Sequence, residues 1–241
     1  MPLIDLSHTV EHGMITYKGL PAPIISDHLS RERSRTMYES GTEFQIGRIE
    51  MVANTGTYLD SPFHRYADGT DLAGLALESL ANLEGVVVRH VGAAERALER
   101  SAFPDLASGL RDSAEATQRA ITPEHVANLN VSGKTVLFHT GWDMHWRTEE
   151  YLSGKHPFLT AEAADYLASA GAALVGIDSY NIDDTASGSR PVHSILLARG
   201  IPIVEHLCGL RQLPDSGFRF FAVPVKVKGL GTFPVRAFAV V

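Results

Sequence analysis

Cysteine is almost absent from this sequence, since Cys208 is the only one among 241 residues. A single thiol cannot form an intramolecular disulfide and cannot supply the thiolates of a cysteine-rich metal site. Long apolar runs are also missing, because nowhere does the chain have the roughly 18 consecutive apolar residues of a membrane-spanning helix. Its beginning, MPLIDLSHTVEHG, has no basic segment followed by an apolar one. These absences predict a cytoplasmic protein.

Positive charge is in the minority. The chain has 21 Lys and Arg against 28 Asp and Glu, a formal net charge of −7. Nucleic acids and anionic membrane surfaces attract basic proteins, so neither is an expected partner, and a small molecule is expected instead. With 44% hydrophobic and 20% charged residues, the composition is that of a globular protein long enough to bury one sizeable core.

Apolar runs predict the strands. The segment EFQIGRIEMV, residues 43–52, alternates and is expected to run as a strand directly into the motif that follows it. Later runs are continuous, as in strands covered on both faces. They are GVVVRHV, KTVLFHTG, AALVGIDS, IPIVEHL, FRFFAVPVKV and PVRAFAVV.

Helices are predicted between the strands. Thr122 is expected to cap the helix PEHVANL, and Thr160 the helix AEAADYLASAG, which Gly171 ends. VHSILLARG predicts a third helix, and residues 92–120, rich in Ala, Arg and Glu, predict surface helices. Strands and helices mix without a low-complexity linker or a repeat, so residues 1–241 are predicted to form a single α/β domain.

The stretch NTGTYLDSPFH, from Asn54 to His64, carries the clearest chemical signal. Asp60 and His64 are four residues apart, but Pro62 between them disfavours a helix, so we expect a strand that runs into a turn. Carboxylate and imidazole groups are typical ligands of a divalent metal. The alternative is a carboxylate held by turn amides beside a surface histidine.

Asp60 and His64 need further partners, because a metal site requires three or four protein ligands. His193 opens the short helix that follows the loop DDTASGSRP. Glu205 follows the apolar residues IPIV, where a buried carboxylate requires a partner such as a metal. The alternatives are an ordinary helix-terminal histidine and an ion pair of Glu205 with a neighbouring arginine.

Together, the pattern G-T-x-x-D-x-P-x-H, the helix-borne His193, the strand residue Glu205 and the C-terminal KGLGTFPVRAFA resemble the cyclase family of metal-dependent hydrolases. That family includes bacterial kynurenine formamidases and isatin hydrolases. The resemblance begins at IDLSHTVEHGM and covers nearly the whole chain. It implies mixed β-sheets flanked by helices, in the swivelling β/β/α arrangement, and assembly into homodimers or homotetramers.

The motif departs from the family pattern H-x-G-T-H-x-D-x-P-x-H at two positions. Asn54 and Tyr58 stand where family members carry histidines. The resemblance therefore implies one divalent ion, zinc or manganese, rather than two. Asn54 and Tyr58 are then polar groups beside it. The ligands carried over from the family are Asp60, His64, His193 and Glu205.

The resemblance implies hydrolysis of an amide, lactone or cyclic imide, with arylformamidase activity as in kynurenine formamidases. A bound divalent ion polarises a carbonyl and lowers the pKa of water from about 15.7 to roughly 7. Tyr58 is a candidate hydrogen-bond donor to the oxyanion. Proton transfer is assigned to His64 or Glu205, or to Asp60 if only three residues bind the ion.

Two other classes of function remain open at this point. One is a lyase or cyclase that uses the same ion, and the other is a binding protein that has lost catalysis together with the two histidines. Retention of four coordinating groups argues against a pure binding protein. Tyr17 and Trp142 are candidates to line the substrate pocket, with core packing as the alternative.

Overall fold

The computed structural model describes residues 1–91 and 119–241. The surface helices predicted for residues 92–120 fall, except for the last two positions, outside these described residues. No helix in the described part of the chain is long and apolar enough to cross a membrane. The strands are β1 (Leu3–Asp5), β2 (Ile24–Leu29), β3 (Ile46–Glu50), β4 (Tyr58–Asp60), β5 (Leu83–Arg89), β6 (Ala120–Ile121), β7 (Thr135–His139), β8 (Phe158–Leu159), β9 (Leu174–Ile177), β10 (Ile203–Glu205), β11 (Ser216–Phe221), β12 (Thr232–Pro234) and β13 (Phe238–Val240).

A mixed sheet of nine strands in the order β1-β13-β11-β5-β7-β9-β10-β4-β12 forms the centre of the fold. Strands β5, β7, β9 and β10 pair in parallel, and antiparallel strands extend the sheet on both sides. The parallel strands are the continuous apolar runs of the sequence, and they are buried on both faces. Val86 and Val88 join one hydrophobic core, while Val87 between them joins the other. The expected mixed α/β fold is thus confirmed.

The α-helices among the described residues are α1 (Arg31–Ser34), α2 (Ala161–Ser169) and α3 (Pro191–Ala198). The Thr160 hydroxyl accepts the Ala163 amide at the start of α2, as expected, and Gly171 takes a φ of 79° just beyond its end. The apolar faces of α2 and α3 pack on the same side of the sheet. This packing holds the first turn of α3, which carries His193, against the sheet.

The prediction of a helix for PEHVANL is wrong. Only Pro123–His125 is helical, as a single 3-10 turn. Within that turn, the Thr122 side chain accepts the backbone amide of His125, and the His125 imidazole accepts the backbone amide of Thr122. The residues that follow, ANLNVSG, contain two asparagines and a glycine, which favour turns over further helix.

The segment around β3 does form a strand, but it does not belong to the central sheet. Strands β2 and β3 make a separate two-stranded hairpin, with residues of β3 exposed along their whole length. Ile46 and Ile49 are half exposed. The alternation therefore marks a projecting arm rather than a core strand that leads into the motif. We call residues 24–50 the arm.

The C-terminal pattern also differs from expectation. The run FRFFAVPVKV ends as a strand at Phe221. The stretch KGLGTFPVRA contains β12, which pairs with β4 at one edge of the central sheet. This extra strand brings Thr232 directly opposite Asp60.

Candidate metal centre and active site

Strand β4 and the turn after it position Asp60 and His64. Ser61 stays extended, with φ −95° and ψ 166°, and Pro62 begins a 3-10 turn that ends at His64. The expected strand running into a turn is confirmed. The turn brings His64 Nδ1 to 3.6 Å from Asp60 Oδ1. Gly231 lies against this turn so closely that a Cβ there would sit 2.4 Å from the His64 amide nitrogen.

Helix α3 places the His193 side chain beside Asp60. Its Nε2 lies 3.7 Å from Asp60 Oδ2 and 3.6 Å from Glu205 Oε1. Its Nδ1 lies 2.6 Å from Asp183 Oδ2. The Asp183 carboxylate also accepts the backbone amides of Val192 and His193. Asp183 therefore fixes the first turn of α3 and, as acceptor for Nδ1–H, leaves Nε2 available toward Asp60.

Glu205 and Tyr58 face each other across the antiparallel pair of β10 and β4. The Tyr58 hydroxyl donates to Glu205 Oε2 at 2.6 Å, and the Ile182 amide donates to Oε1 at 2.6 Å. The Asn54 side chain lies near enough to the Tyr58 hydroxyl to oppose the rise of its pKa. The two residues that replace family histidines are therefore close together, and Tyr58 connects them to Glu205. In the described residues, Glu205 makes no ion pair with an arginine.

Burial and charge shift the pKa values of this cluster. Burial opposes protonation of His193, but the charge of Glu205, the hydrogen bond to Asp183 and the nearby Asp60 prevail and raise its pKa to about 10. Burial raises the pKa of Glu205 to about 7, with Asp60 adding to the shift and His193 opposing it. Burial and the charges of Glu205 and Asp60 raise the pKa of Tyr58 well above its usual value. Tyr58 is therefore a hydrogen-bond donor at neutral pH.

Asp60, His64 and His193 each offer a ligand atom, and these atoms lie within 4.8 Å of one another. Asp60 Oδ2 is buried and has no hydrogen-bond partner within the described ranges. Asp60, Asp183 and Glu205 are fully or almost fully buried around one imidazole, so acidic side chains outnumber the single basic one of His193 there. Buried charge of this kind requires a counterion. The donor set and the charge both fit a divalent cation.

Thr232 supports the same centre from the edge strand. Its hydroxyl donates to Asp60 Oδ1 and lies 2.8 Å from His64 Nδ1. Glu205 is not one of the three clustered ligands, and both of its oxygens already accept hydrogen bonds. Glu205 as a fourth ligand therefore stays a prediction.

The cluster opens into a cavity of about 310 Å³. Residues that line it include five candidates from the sequence and two arginines; they are Tyr17, Asn54, Tyr58, His64, His193, Arg65 and Arg190. Glu205 also reaches the wall. Trp142 is not among the lining residues, because its ring packs in an aromatic cluster with Tyr151 and its Nε1 donates to the Tyr151 carbonyl at 3.1 Å.

Asp183, Arg190 and Thr232 belong to this site but had no role in the sequence analysis. Asp183 had a local signal, since it follows the buried run AALVGID within an acidic loop. Arg190 stands just before the proline that begins α3, and arginine is an ordinary residue there. Thr232 had no local signal, because its role depends on pairing between strands that are 172 residues apart in sequence.

The fold and the Asp-His-His centre define the class of protein to which the chain belongs. The sequence model described as "Putative cyclase" matches residues 4–184. The chain therefore belongs to the putative cyclase family, which confirms the resemblance found in its motifs.

Individual relatives agree with this membership. The chain is 26% identical over 238 residues to the kynurenine formamidase of Salinibacter ruber, covering 98% of this chain and 96% of that protein. It is 28% identical over 223 residues to the kynurenine formamidase of Erythrobacter litoralis, covering 92% and 86% respectively.

Solved structures share the fold. A potential metal-dependent hydrolase with cyclase activity superposes with a TM-score of 0.71 at 24% identity, covering 99% of this chain and 96% of the other. Isatin hydrolase A from Labrenzia aggregata superposes with a TM-score of 0.75 at 21% identity, covering 99% and 93%. These likenesses confirm the cyclase-type α/β fold.

Proposed function

We propose that this protein is a metal-dependent hydrolase of small-molecule amides, acting on non-peptide carbon–nitrogen bonds in the manner of an arylformamidase. The observation that carries the proposal is the buried, unpartnered Asp60 Oδ2, which faces His193 beside a cavity. Relatives named kynurenine formamidase, similar over nearly the whole chain, and structural neighbours named isatin hydrolase support the same reaction class. The substrate is a small molecule.

The proposed ligands are Asp60, His64 and His193, and they hold one divalent ion, zinc or manganese. Such an ion polarises a carbonyl and lowers the pKa of water to roughly 7. Thr232 orients Asp60 through its hydrogen bond to Oδ1, and Asp183 orients His193 through Nδ1. Residues such as Thr232 and Asp183, which hydrogen-bond a metal ligand, keep that ligand in place.

We assign proton transfer to Glu205, since Asp60 and His64 serve as ligands. Its carboxylate reaches the cavity wall and is held by Tyr58 and the Ile182 amide. In this role Glu205 accepts a proton from the attacking water as the carbon–oxygen bond forms. It then delivers that proton to the leaving nitrogen as the carbon–nitrogen bond breaks. Tyr58 is then a positioning residue, because its hydroxyl proton is directed at Glu205 rather than at a substrate oxygen.

The test of the proposed function is a panel of aryl formamides, lactones and cyclic imides, assayed in water enriched in heavy oxygen. We expect turnover of an aryl formamide, with one heavy oxygen atom in the released formate by mass spectrometry. A lyase or cyclase would give product without the label. Turnover without label, or no turnover of any compound by the metal-loaded protein, would contradict the proposal.

We further propose that a second copy of the chain covers the arm. An isolated two-stranded hairpin is at best marginally stable in water, so this one requires a partner surface. Several large apolar side chains are exposed on it, a pattern typical of interfaces; they are Ile24, Ile25, Met37, Phe44, Ile46 and Ile49. Basic residues at 31, 33 and 35 and acidic residues at 32, 39 and 43 give the arm both signs of charge, which suits a self-complementary contact.

Ile49→Asp is expected to dissociate this assembly. Light scattering of the unaltered protein should give at least twice the chain mass of 26.1 kDa, as for the homodimer or homotetramer implied by the family. The variant should give the mass of one chain, because a charge replaces an apolar contact. Leu77→Asp is the matched control, since Leu77 is equally exposed outside the arm. An unaltered protein that runs as a monomer would refute the interface. The cytoplasmic location and single-domain organisation stay predictions of the sequence.

A further inference from the structure

The loop between β9 and α3 supports the candidate metal centre at two successive residues. The Ile182 amide donates to Glu205 Oε1 at 2.6 Å, and the Asp183 carboxylate lies 2.6 Å from His193 Nδ1. Asn181, the residue before them, is 6% exposed and lines the cavity. The same turn of chain therefore holds the proposed base, a proposed ligand and a buried amide side chain at the cavity wall.

The hydrogen bonds of Asn181 define which way its side-chain amide faces. Oδ1 accepts the backbone amide of Asp183 at 2.9 Å, and the Asn181 carbonyl oxygen accepts the Ser179 hydroxyl at 2.9 Å. The first of these bonds joins a side chain to the amide two residues on, which is an Asx turn. Because a backbone N–H can only donate, the side-chain atom that it meets is the oxygen. The NH2 group therefore lies on the other side of the amide.

The NH2 group of Asn181 faces the cavity. Within the described residues, Nδ2 has one partner, the hydroxyl of Tyr17, which also lines the cavity. That contact is 3.5 Å long, more than the roughly 2.7–3.2 Å of an ordinary N–H···O bond, so it is weak. An NH2 group carries two donors, so at least one is available to a bound molecule. An oxygen atom of a ligand would satisfy it.

Amide hydrolysis creates a need for such a donor. As the water oxygen bonds to the amide carbon, the π electron pair of the C=O bond moves to the carbonyl oxygen, and it returns when the C–N bond breaks. A donor that is already in place where this charge develops stabilises the transition state more than the substrate. Tyr58, the donor expected from the sequence, does not fill this role, because its proton is directed at Glu205.

We propose that Asn181 is a catalytic residue whose Nδ2–H donates a hydrogen bond to this oxyanion. The inference rests on the proposed function, since hydrolysis is the reaction that forms the oxyanion. Asn181 transfers no proton, so its role is separate from that of Glu205, which moves the proton from water to the leaving nitrogen. The Asx turn holds the amide in place before the substrate binds, so the donor needs no reorganisation during the reaction.

Asn181→Ala and Asn181→Asp test this donor in two ways. Alanine removes the whole amide, whereas aspartate keeps an oxygen for the Asp183 amide but has no N–H. With formanilide as the substrate of the metal-loaded enzyme, both variants should lower kcat by about a hundredfold to a thousandfold, the usual loss for one oxyanion donor, with little change in KM. Asn130→Ala is the matched control, because Asn130 is exposed and does not line the cavity.

A pair of inhibitors gives a readout that does not depend on turnover. N-phenyl methylphosphonamidate has the tetrahedral, anionic form of the intermediate, and acetanilide is its planar counterpart. By calorimetry on metal-loaded protein, both Asn181 variants should bind the phosphonamidate about a hundredfold to a thousandfold more weakly and acetanilide as the unaltered protein does. Metal content, measured on the same samples, should equal that of the unaltered protein.

Several results would overturn the proposal. They are an unchanged kcat or unchanged phosphonamidate binding in the variants, and an unaltered protein that binds the phosphonamidate no better than acetanilide. Loss of the ion in Asn181→Asp, or weaker binding of both inhibitors alike, would show that Asn181 only supports the loop. Hydrolysis that does not depend on Asn181 would retain the hydrolase and reject the donor. Phosphonamidate binding that depends on Asn181, without hydrolysis of any formamide, would retain the donor and reject the proposed function.

Discussion

Asp60→Asn is expected to strip the divalent ion from the protein and to lower kcat/KM by about a thousandfold, the equivalent of about 4 kcal/mol of transition-state stabilisation. Asparagine keeps the size of the side chain but removes its charge. The position has no exposed surface, and Oδ2 has no other described partner. The amide group is a much poorer ligand than the carboxylate, and it would leave His64 and His193 as the remaining pair.

The measurement is elemental mass spectrometry on protein purified without chelator or added metal. The unaltered protein should contain about one equivalent of zinc or manganese per chain, and the variant close to none. Asp68→Asn is the control, because Asp68 is an exposed carboxylate four residues beyond His64. Full metal content in Asp60→Asn would exclude Asp60 as a ligand. Two tightly bound ions in the unaltered protein would exclude a centre with a single ion.

Glu205→Gln is expected to reduce kcat by about a hundredfold to ten-thousandfold while the ion stays bound. Glutamine cannot accept a proton, so the proposed base is lost. The ion should remain because the three clustered ligands do not include Glu205. The measurement pairs kcat with metal content per chain in the same preparation.

Measuring kcat and metal content together distinguishes the two roles that Glu205 can have, proton transfer and metal binding. Loss of the ion in Glu205→Gln would make Glu205 the fourth ligand, as the family pattern implies, and would reject the assignment of proton transfer on this evidence. Tyr58→Phe is the companion variant, since it removes the hydrogen bond at Oε2 but leaves the carboxylate able to ionise. We expect it to reduce kcat by about tenfold to a hundredfold, the effect of one hydrogen bond to a charged group.

Much of the fold was predictable where the signal is local. Continuous apolar runs gave the parallel strands, because strands covered on both faces need apolar residues at every position. Pro62 gave the turn that brings His64 back to Asp60, and Thr160 and Gly171 gave the two ends of α2. Each of these features depends on residues within a few positions of one another.

Other features depend on what the chain packs against. The residues of β3 alternate like a core strand, yet they form an exposed arm, and periodicity alone does not distinguish the two. The ligand candidates Asp60, His64 and His193 were predictable because coordinating side chains are chemically distinctive. Thr232 is an ordinary strand residue, and only the pairing of β12 with β4 places it beside Asp60.

The pairing of β10, β4 and β12 also has a consequence for how the protein folds. Tyr58 and Glu205 are 147 residues apart in sequence, and Asp60 and Thr232 are 172 apart. Contacts of such long range form slowly, because closing a large loop costs chain entropy before the pairing stabilises it. During synthesis, β4 is complete long before either of its neighbouring strands exists. The candidate ligand Asp60 is therefore made long before its neighbours, and the candidate metal centre is complete only when β10 and β12 have been made and have paired with β4.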